Sequence, residues 1–133
     1  GDGELRSKIG VAPAAARPIM GSWDATRGVL TLVAFTLPPL ARDYANSMWE
    51  LEQREPFRGD AVNSYNDGPS APGVAPFGPF YELESSSPAA ELAPGASLEH
   101  RHRTLHLQGS RAALDRAART ALGLSLAQIE SGL

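Results

Sequence analysis

The 133 residues fit one domain, and 42% apolar with 20% charged side chains is an ordinary globular composition that excludes wholesale disorder. A formal net charge of −3, from 12 basic against 15 acidic side chains, leaves no electrostatic footprint for nucleic acid or an anionic membrane surface. Cysteine is absent, which excludes disulfides and thiolate metal sites, and the longest apolar stretch, Gly28 to Leu40, is too interrupted by Thr31, Thr36 and two prolines to span a bilayer.

Gly1-Asp2-Gly3-Glu4 lacks an initiator Met, a basic segment and an apolar segment, so it does not read as a signal peptide. The expectation is a chain that begins inside a fold. Lys8 to Pro18 is rich in Ala and Pro and reads as irregular connection. Ile19 to Trp23 and Gly28 to Leu37 flank the turn cluster Asp24-Ala25-Thr26-Arg27-Gly28 and predict a hairpin. The second of these strands is apolar on both faces around Leu32 to Phe35, so it is expected to be central and covered on both sides. Asn46 to Glu52 alternates in part and is read as a strand, setting Met48 or Trp49 against a core. Asp60 to Tyr65 is a further short strand, ending in the turn signal Asn66-Asp67-Gly68-Pro69.

A Gly/Pro/Ser loop then leads to strands at Phe80 to Ser85 and Leu98 to Leu107. In the last of these, period-2 geometry puts His100, His102, Thr104 and His106 on one face. Beyond Gln108-Gly109 the period changes. Leu114, Ala117, Ala118, Ala121 and Leu122 form one helical stripe with Ser110 as N-cap, and Asp115 and Arg119 are spaced for an i,i+4 ion pair. Gly123 stops that helix, and Ser125 with Gln128 forms a capping box for a second one, with Leu124 and Ile129 at the staple positions. The whole is read as a single domain over 1–133, mainly β, an antiparallel β-sandwich with two short C-terminal helices. Apolar central strands with so little helical cover call for more structure, either an absent N-terminal half or a second subunit.

Three constellations could carry chemistry. His100-x-His102, followed by His106, is a strand-borne way to seat a metal, and with the preceding Pro94-Gly95 turn it is similar to the first cupin motif. The glutamate that motif requires is replaced by Thr104-Leu105-His106, and no later His follows, so a cupin-like metal barrel is the alternative and no metal ligand is assigned. Glu82 and Glu84 project to the same side of a strand, where one carboxylate can serve as a general base; a solvated acidic edge is the plainer interpretation. Asn63, Tyr65, Asn66 and Asp67, with Trp49 and Trp23, combine amide, carboxylate and aromatic groups of the kind that meet sugar hydroxyls and the apolar face of a sugar ring; a turn alone also accounts for the first four. No phosphate loop, nucleophile elbow or basic helix is present.

Leu83-Glu84, the polar run Ser85 to Pro88 and Leu92-Ala93-Pro94-Gly95 resemble the last part of a galactose-mutarotase-like supersandwich of the aldose 1-epimerase type. That resemblance implies that Glu84 is the base taking a proton from the anomeric hydroxyl; the histidines of the last strand are not part of the epimerase pattern, and Glu82 as a modulator, His100 and His102 as lining residues and the absence of a cofactor are expectations set beside it. More extensively, Leu5 to Gly10, Asn46 to Glu50, Gly59-Asp60, Asn63 to Pro69 and Phe80 to Pro88 resemble the C-terminal half of an uncharacterised bacterial family with this fold. Bacterial relatives of this type often look secreted or periplasmic, while these residues leave the compartment open. The expected function is therefore binding of a carbohydrate or carbohydrate derivative by Glu84, Glu82, His100, His102, Trp49, Asn63 and Asp67, with epimerase- or isomerase-like chemistry in the intact protein. The histidine acid of the epimerases has no counterpart in this chain. A purely structural half-domain that pairs with another chain is the third alternative.

Overall fold

The computed structural model describes residues 3–132; Gly1 and Asp2, where the sequence suggests an internal start, and Leu133 lie outside the described residues. The fold is mainly β, as expected: six strands in two three-stranded antiparallel sheets, then two short helices. The strands are β1 (Ser7–Val11), β2 (Ile19–Asp24), β3 (Val29–Phe35), β4 (Val62–Asn66), β5 (Tyr81–Ser85) and β6 (His102–Gln108), and the helices α1 (Arg111–Leu122) and α2 (Leu126–Ser131). The chain divides into two compact units, one of Gly1–Ala16 with Leu37–His100, the other of Arg17–Thr36 with Arg101–Leu133.

The second unit holds the sheet β2-β3-β6 and both helices. The hairpin forms as the sequence predicts, with Asp24 closing the turn by accepting from the Arg27 amide at 2.9 Å and its guanidinium at 3.0 Å. β3 is central, and its alternate residues Leu30 and Leu32 pack with Leu114, Ala118 and Leu126 of the helices into an apolar cluster. Val33 and Phe35, which point the other way, are buried too, so both faces of β3 are covered. Ser110 caps α1 by accepting from the Ala113 amide, and Ser125 and Gln128 exchange the reciprocal bonds of a capping box. The Asp115–Arg119 pair forms at 2.8 Å, and the other Asp115 oxygen accepts from the Leu126 amide at 2.9 Å, tying α1 to the start of α2. Glu130 of α2 receives both Arg111 terminal nitrogens, at 2.8 and 2.7 Å, and the Trp23 indole N–H at 2.8 Å. Arg111 and, after it, Trp23 hold the Glu130 carboxyl down at about 2.

The first unit holds the sheet β1-β4-β5. Three expectations are corrected here. Lys8 to Val11 is strand, not irregular connection, because Gly10 leaves room for a neighbour: a Cβ there would overlap the carboxylate of Asp60. Only the following Ala12–Ala16 segment turns, through bonds from the Ala15 and Ala16 amides to the Ala12 carbonyl. Asn46 to Glu52 is a loop, not a strand. Its backbone groups are met by side chains, Asn46 Oδ1 accepting from the Met48 amide, and Gln53 Nε2 donating to the carbonyls of Asn46, Met48 and Glu50. Asn66-Asp67-Gly68-Pro69 does not turn either. The chain runs on extended beside the Leu5–Arg6 segment, and a Cβ on Gly68 would strike the Arg6 amide nitrogen.

Candidate functional site

The register of β1-β4-β5 sorts the sheet into two faces. Lys8 lies opposite Tyr65, which lies opposite Glu82; one pleat along, Gly10 lies opposite Asn63, which lies opposite Glu84. With a period of two, these six residues share one face. Lys8 reaches across it to Glu84, Nζ to Oε2 3.7 Å, and its ammonium also donates to the Ser47 carbonyl at 3.5 Å. Asp60 sets its carboxylate over the gap at Gly10, beside Asn63.

The Asn46–Glu55 loop folds onto this face and brings Ser47 and Trp49 to it. The Ser47 hydroxyl donates to Asn63 Oδ1 at 3.4 Å. Trp49 meets Tyr65 edge-on, ring centroids 6.1 Å apart, and the Arg6 guanidinium stacks 4.4 Å from the indole centroid. Arg6 Nε also donates to the Tyr65 hydroxyl at 3.3 Å. Trp49 remains 57% exposed, so an aromatic surface is open at the rim. Beneath it the Tyr65 hydroxyl donates to Asp67 at 2.6 Å, and the second Asp67 oxygen accepts from the Gly78 amide at 2.9 Å. The Tyr65 hydroxyl, joined by the Gly78, Gly68 and Phe77 amides, holds the Asp67 carboxyl below its ordinary range against the opposing effect of burial. The same bond raises Tyr65 above the usual phenol value, so Tyr65 stays a neutral hydroxyl.

The seven residues singled out from the sequence therefore fall in different places. Glu84, Glu82 and Trp49 are accessible on the one face. Asn63 and Asp67 belong to it but are 3% and 1% exposed, so they fix their neighbours and do not present themselves to solvent. His100 is not on this face. It precedes β6, and its Nε2 lies 2.9 Å from the hydroxyl of Ser85, whose side chain alternates away from that of Glu84. His102 belongs to the second unit, where its Nε2 lies 3.3 Å from the Thr104 hydroxyl, while His106 Nδ1 lies 3.0 Å from that of Thr31. The predicted four-residue face is thus cut to His102, Thr104 and His106, because the pairing with β3 begins only at His102. Among the described residues no three His, Asp or Glu side chains come together as a metal site.

Sequence reading missed Lys8, Arg6, Ser47 and Asp60. Lys8 and Gly10 lie in the segment read as irregular. The available signal was the alternation Lys8-Ile9-Gly10-Val11 and a glycine where a strand ordinarily avoids one, which marks a close approach by another group.

No helix among the described residues is long and apolar enough to cross a membrane. The chain matches no curated protein and no solved structure. A family model matches it over residues 1–133, its full length, and the chain belongs to that family, the family of unknown function DUF6786.

Proposed function

We propose that the polar face of β1-β4-β5 binds a carbohydrate or carbohydrate derivative, with Glu84 as the group that accepts a hydrogen bond, or a proton, from a sugar hydroxyl. The observation that supports this most is the convergence on one sheet face of the Lys8–Glu84 pair, the hydroxyls of Ser47 and Tyr65 and the open indole of Trp49. A pyranose presents hydroxyls around its edge and C–H bonds on its face. It is met by directional polar groups beside an aromatic plate. The buried Asn63 and Asp67 hold Ser47 and Tyr65 in place from below, which limits the entropy lost when a ligand binds.

Epimerase-type chemistry would use Glu84 to take the proton from the anomeric hydroxyl, while an acid protonates the ring oxygen as its bond to the anomeric carbon breaks. No histidine shares this face. We assign the acid to further protein packed on the sheet, a preceding segment or a second subunit, so that this chain supplies the base and the ligand contacts.

Saturation-transfer NMR against aldoses, uronic acids and small oligosaccharides tests the binding step. Transfer to one sugar class is expected for the unmodified chain. Glu84→Gln should weaken binding by roughly tenfold or more, the worth of a hydrogen bond to a charged group. Trp49→Ala should remove the transfer to ring C–H protons. Silence across the panel, or transfer unchanged in both variants, refutes the proposal.

A further inference from the structure

The sugar reading of the polar face leaves the guanidinium of Arg6 without a task. Arg6 stands just before β1, and its side chain is fixed over that face by two contacts. Its Cζ sits 4.4 Å from the Trp49 indole centroid, and its Nε donates to the Tyr65 hydroxyl at 3.3 Å. These contacts use the flat surface of the group and one N–H. The remaining donors, on the two terminal nitrogens, have no hydrogen-bond partner among the described residues.

No carboxylate among those residues pairs with Arg6 either. Glu84 is taken by Lys8, and Asp67 is 1% exposed and held by the Tyr65 hydroxyl and the Gly78 amide. Glu82, opposite Tyr65 in the register, forms no ion pair with it. Stacking engages the π surface of a guanidinium and leaves its planar fork of N–H groups open, the shape that matches two oxygens of a carboxylate or phosphate. Ordering a long side chain is a main cost of an exposed ion pair, and here the indole has ordered it before a ligand arrives.

The register also relates this fork to Glu84. Arg6 bonds to Tyr65, and the Tyr65 row of the sheet lies one pleat from the Glu84 row, about 7 Å along the strands. A single sugar ring with its substituents covers that span. Lys8 is the other cation of the face, but its ammonium is already engaged by Glu84 at 3.7 Å and the Ser47 carbonyl at 3.5 Å.

We propose that the sugar bound on this face is acidic. Two oxygens of its carboxylate or phosphate group meet the terminal nitrogens of Arg6, while a hydroxyl from the far side of the ring meets Glu84. This inference rests on the sugar reading and narrows its substrate class.

The test titrates glucuronate, galacturonate and glucose 6-phosphate into the full chain, each beside its neutral counterpart, glucose or galactose, by saturation-transfer NMR at low ionic strength. An acidic sugar should bind roughly three- to tenfold more tightly than its neutral counterpart, between the worth of an exposed ion pair and that of a bidentate one. The preference should shrink as salt is added. Whether a uronate or the phosphate gains more identifies the acid group. Arg6→Gln should bring the ratio close to one, and Arg6→Lys, which keeps the charge and loses the fork, should fall between. Each ratio is taken within one protein, so a general weakening of a variant does not imitate the effect. Equal affinity for acidic and neutral sugars in the unmodified chain, or a preference that survives Arg6→Gln, overturns the inference and leaves the sugar reading standing. Silence towards every sugar overturns both.

Discussion

The closest fit in the candidate site is the gap at Gly10, and filling it is the most direct test of how the polar face is built. A Cβ at Gly10 would overlap the Asp60 carboxylate and stand only 2.9 Å from the Asp60 Cβ. The first contact is the severe one and forces the Asp60 carboxylate out of its place; the second asks for a smaller shift. Overpacking of this kind costs about 1–3 kcal/mol. Replacing a strand glycine returns roughly 0.5–1 kcal/mol of backbone entropy. Gly10→Ala should therefore destabilise the first unit by about 1–2 kcal/mol. In an Asp60→Ala background only the 2.9 Å contact remains, and the same substitution should be close to neutral. Trp49 is the one tryptophan of the first unit and Trp23 that of the second, so urea unfolding followed by fluorescence in a Trp23→Phe background reads the first unit alone. With a urea slope of about 1–3 kcal/mol per molar, the midpoint should fall by roughly half to one molar. A coupling between the two substitutions below about 0.5 kcal/mol, the ordinary error of additivity, would refute the reasoning.

Other expectations follow from single side chains. Tyr44 is fully buried and its hydroxyl has no hydrogen-bond partner, so Tyr44→Phe should leave stability unchanged or raise it by up to about 1–3 kcal/mol; a loss above 1 kcal/mol in urea unfolding would mean the hydroxyl is satisfied. Ser125→Ala removes the N-cap of α2 and should cost about 1 kcal/mol, read as a lowered thermal midpoint, with Ser125→Gly costing less than that. The Glu130 carboxyl sits at about 2 in the fold against 4.5 ordinarily. Its contribution is accordingly complete above about pH 4.5 and fades as pH falls towards 2. Trp23 fluorescence should report that acid transition, and Glu130→Gln should flatten it; a profile identical in both proteins would rule the assignment out.

Much of the fold was legible because its signals are local. The hairpin around Asp24–Gly28, the N-cap at Ser110 and the capping box at Ser125 each depend on residues a few positions apart, and each forms where expected. The failures share the opposite cause. Asn46 to Glu52 alternates like a strand, yet Asn46 takes the Met48 amide and Gln53 takes the Asn46, Met48 and Glu50 carbonyls that a ladder would use. Asn66-Asp67-Gly68-Pro69 has turn composition, but Asp67 is held by Tyr65 and Gly78, and Gly68 serves a crossing with Arg6 some sixty residues earlier. The site followed the same rule. Glu82 and Glu84 sharing a face is a property of one strand, whereas the meeting of Glu84 with Lys8, or of Trp49 with Arg6, is decided by pairing between distant segments.

The interleaving of the two units along the chain has a kinetic consequence. During synthesis the hairpin β2-β3 emerges early, but its third strand, β6, follows only after Leu37–His100, which belong to the other unit, have been made. Until then Leu30 and Leu32 have neither Leu107 and Leu105 beside them nor α1 and α2 to pack against. Closing a connection of that length, in place of one of about ten residues, adds roughly 1.6 kcal/mol of chain entropy to the barrier. The second unit should therefore fold after the first and slowly, with an apolar ribbon exposed on the nascent chain while Leu37–His100 are made, a substrate for chaperones until α1 and α2 arrive.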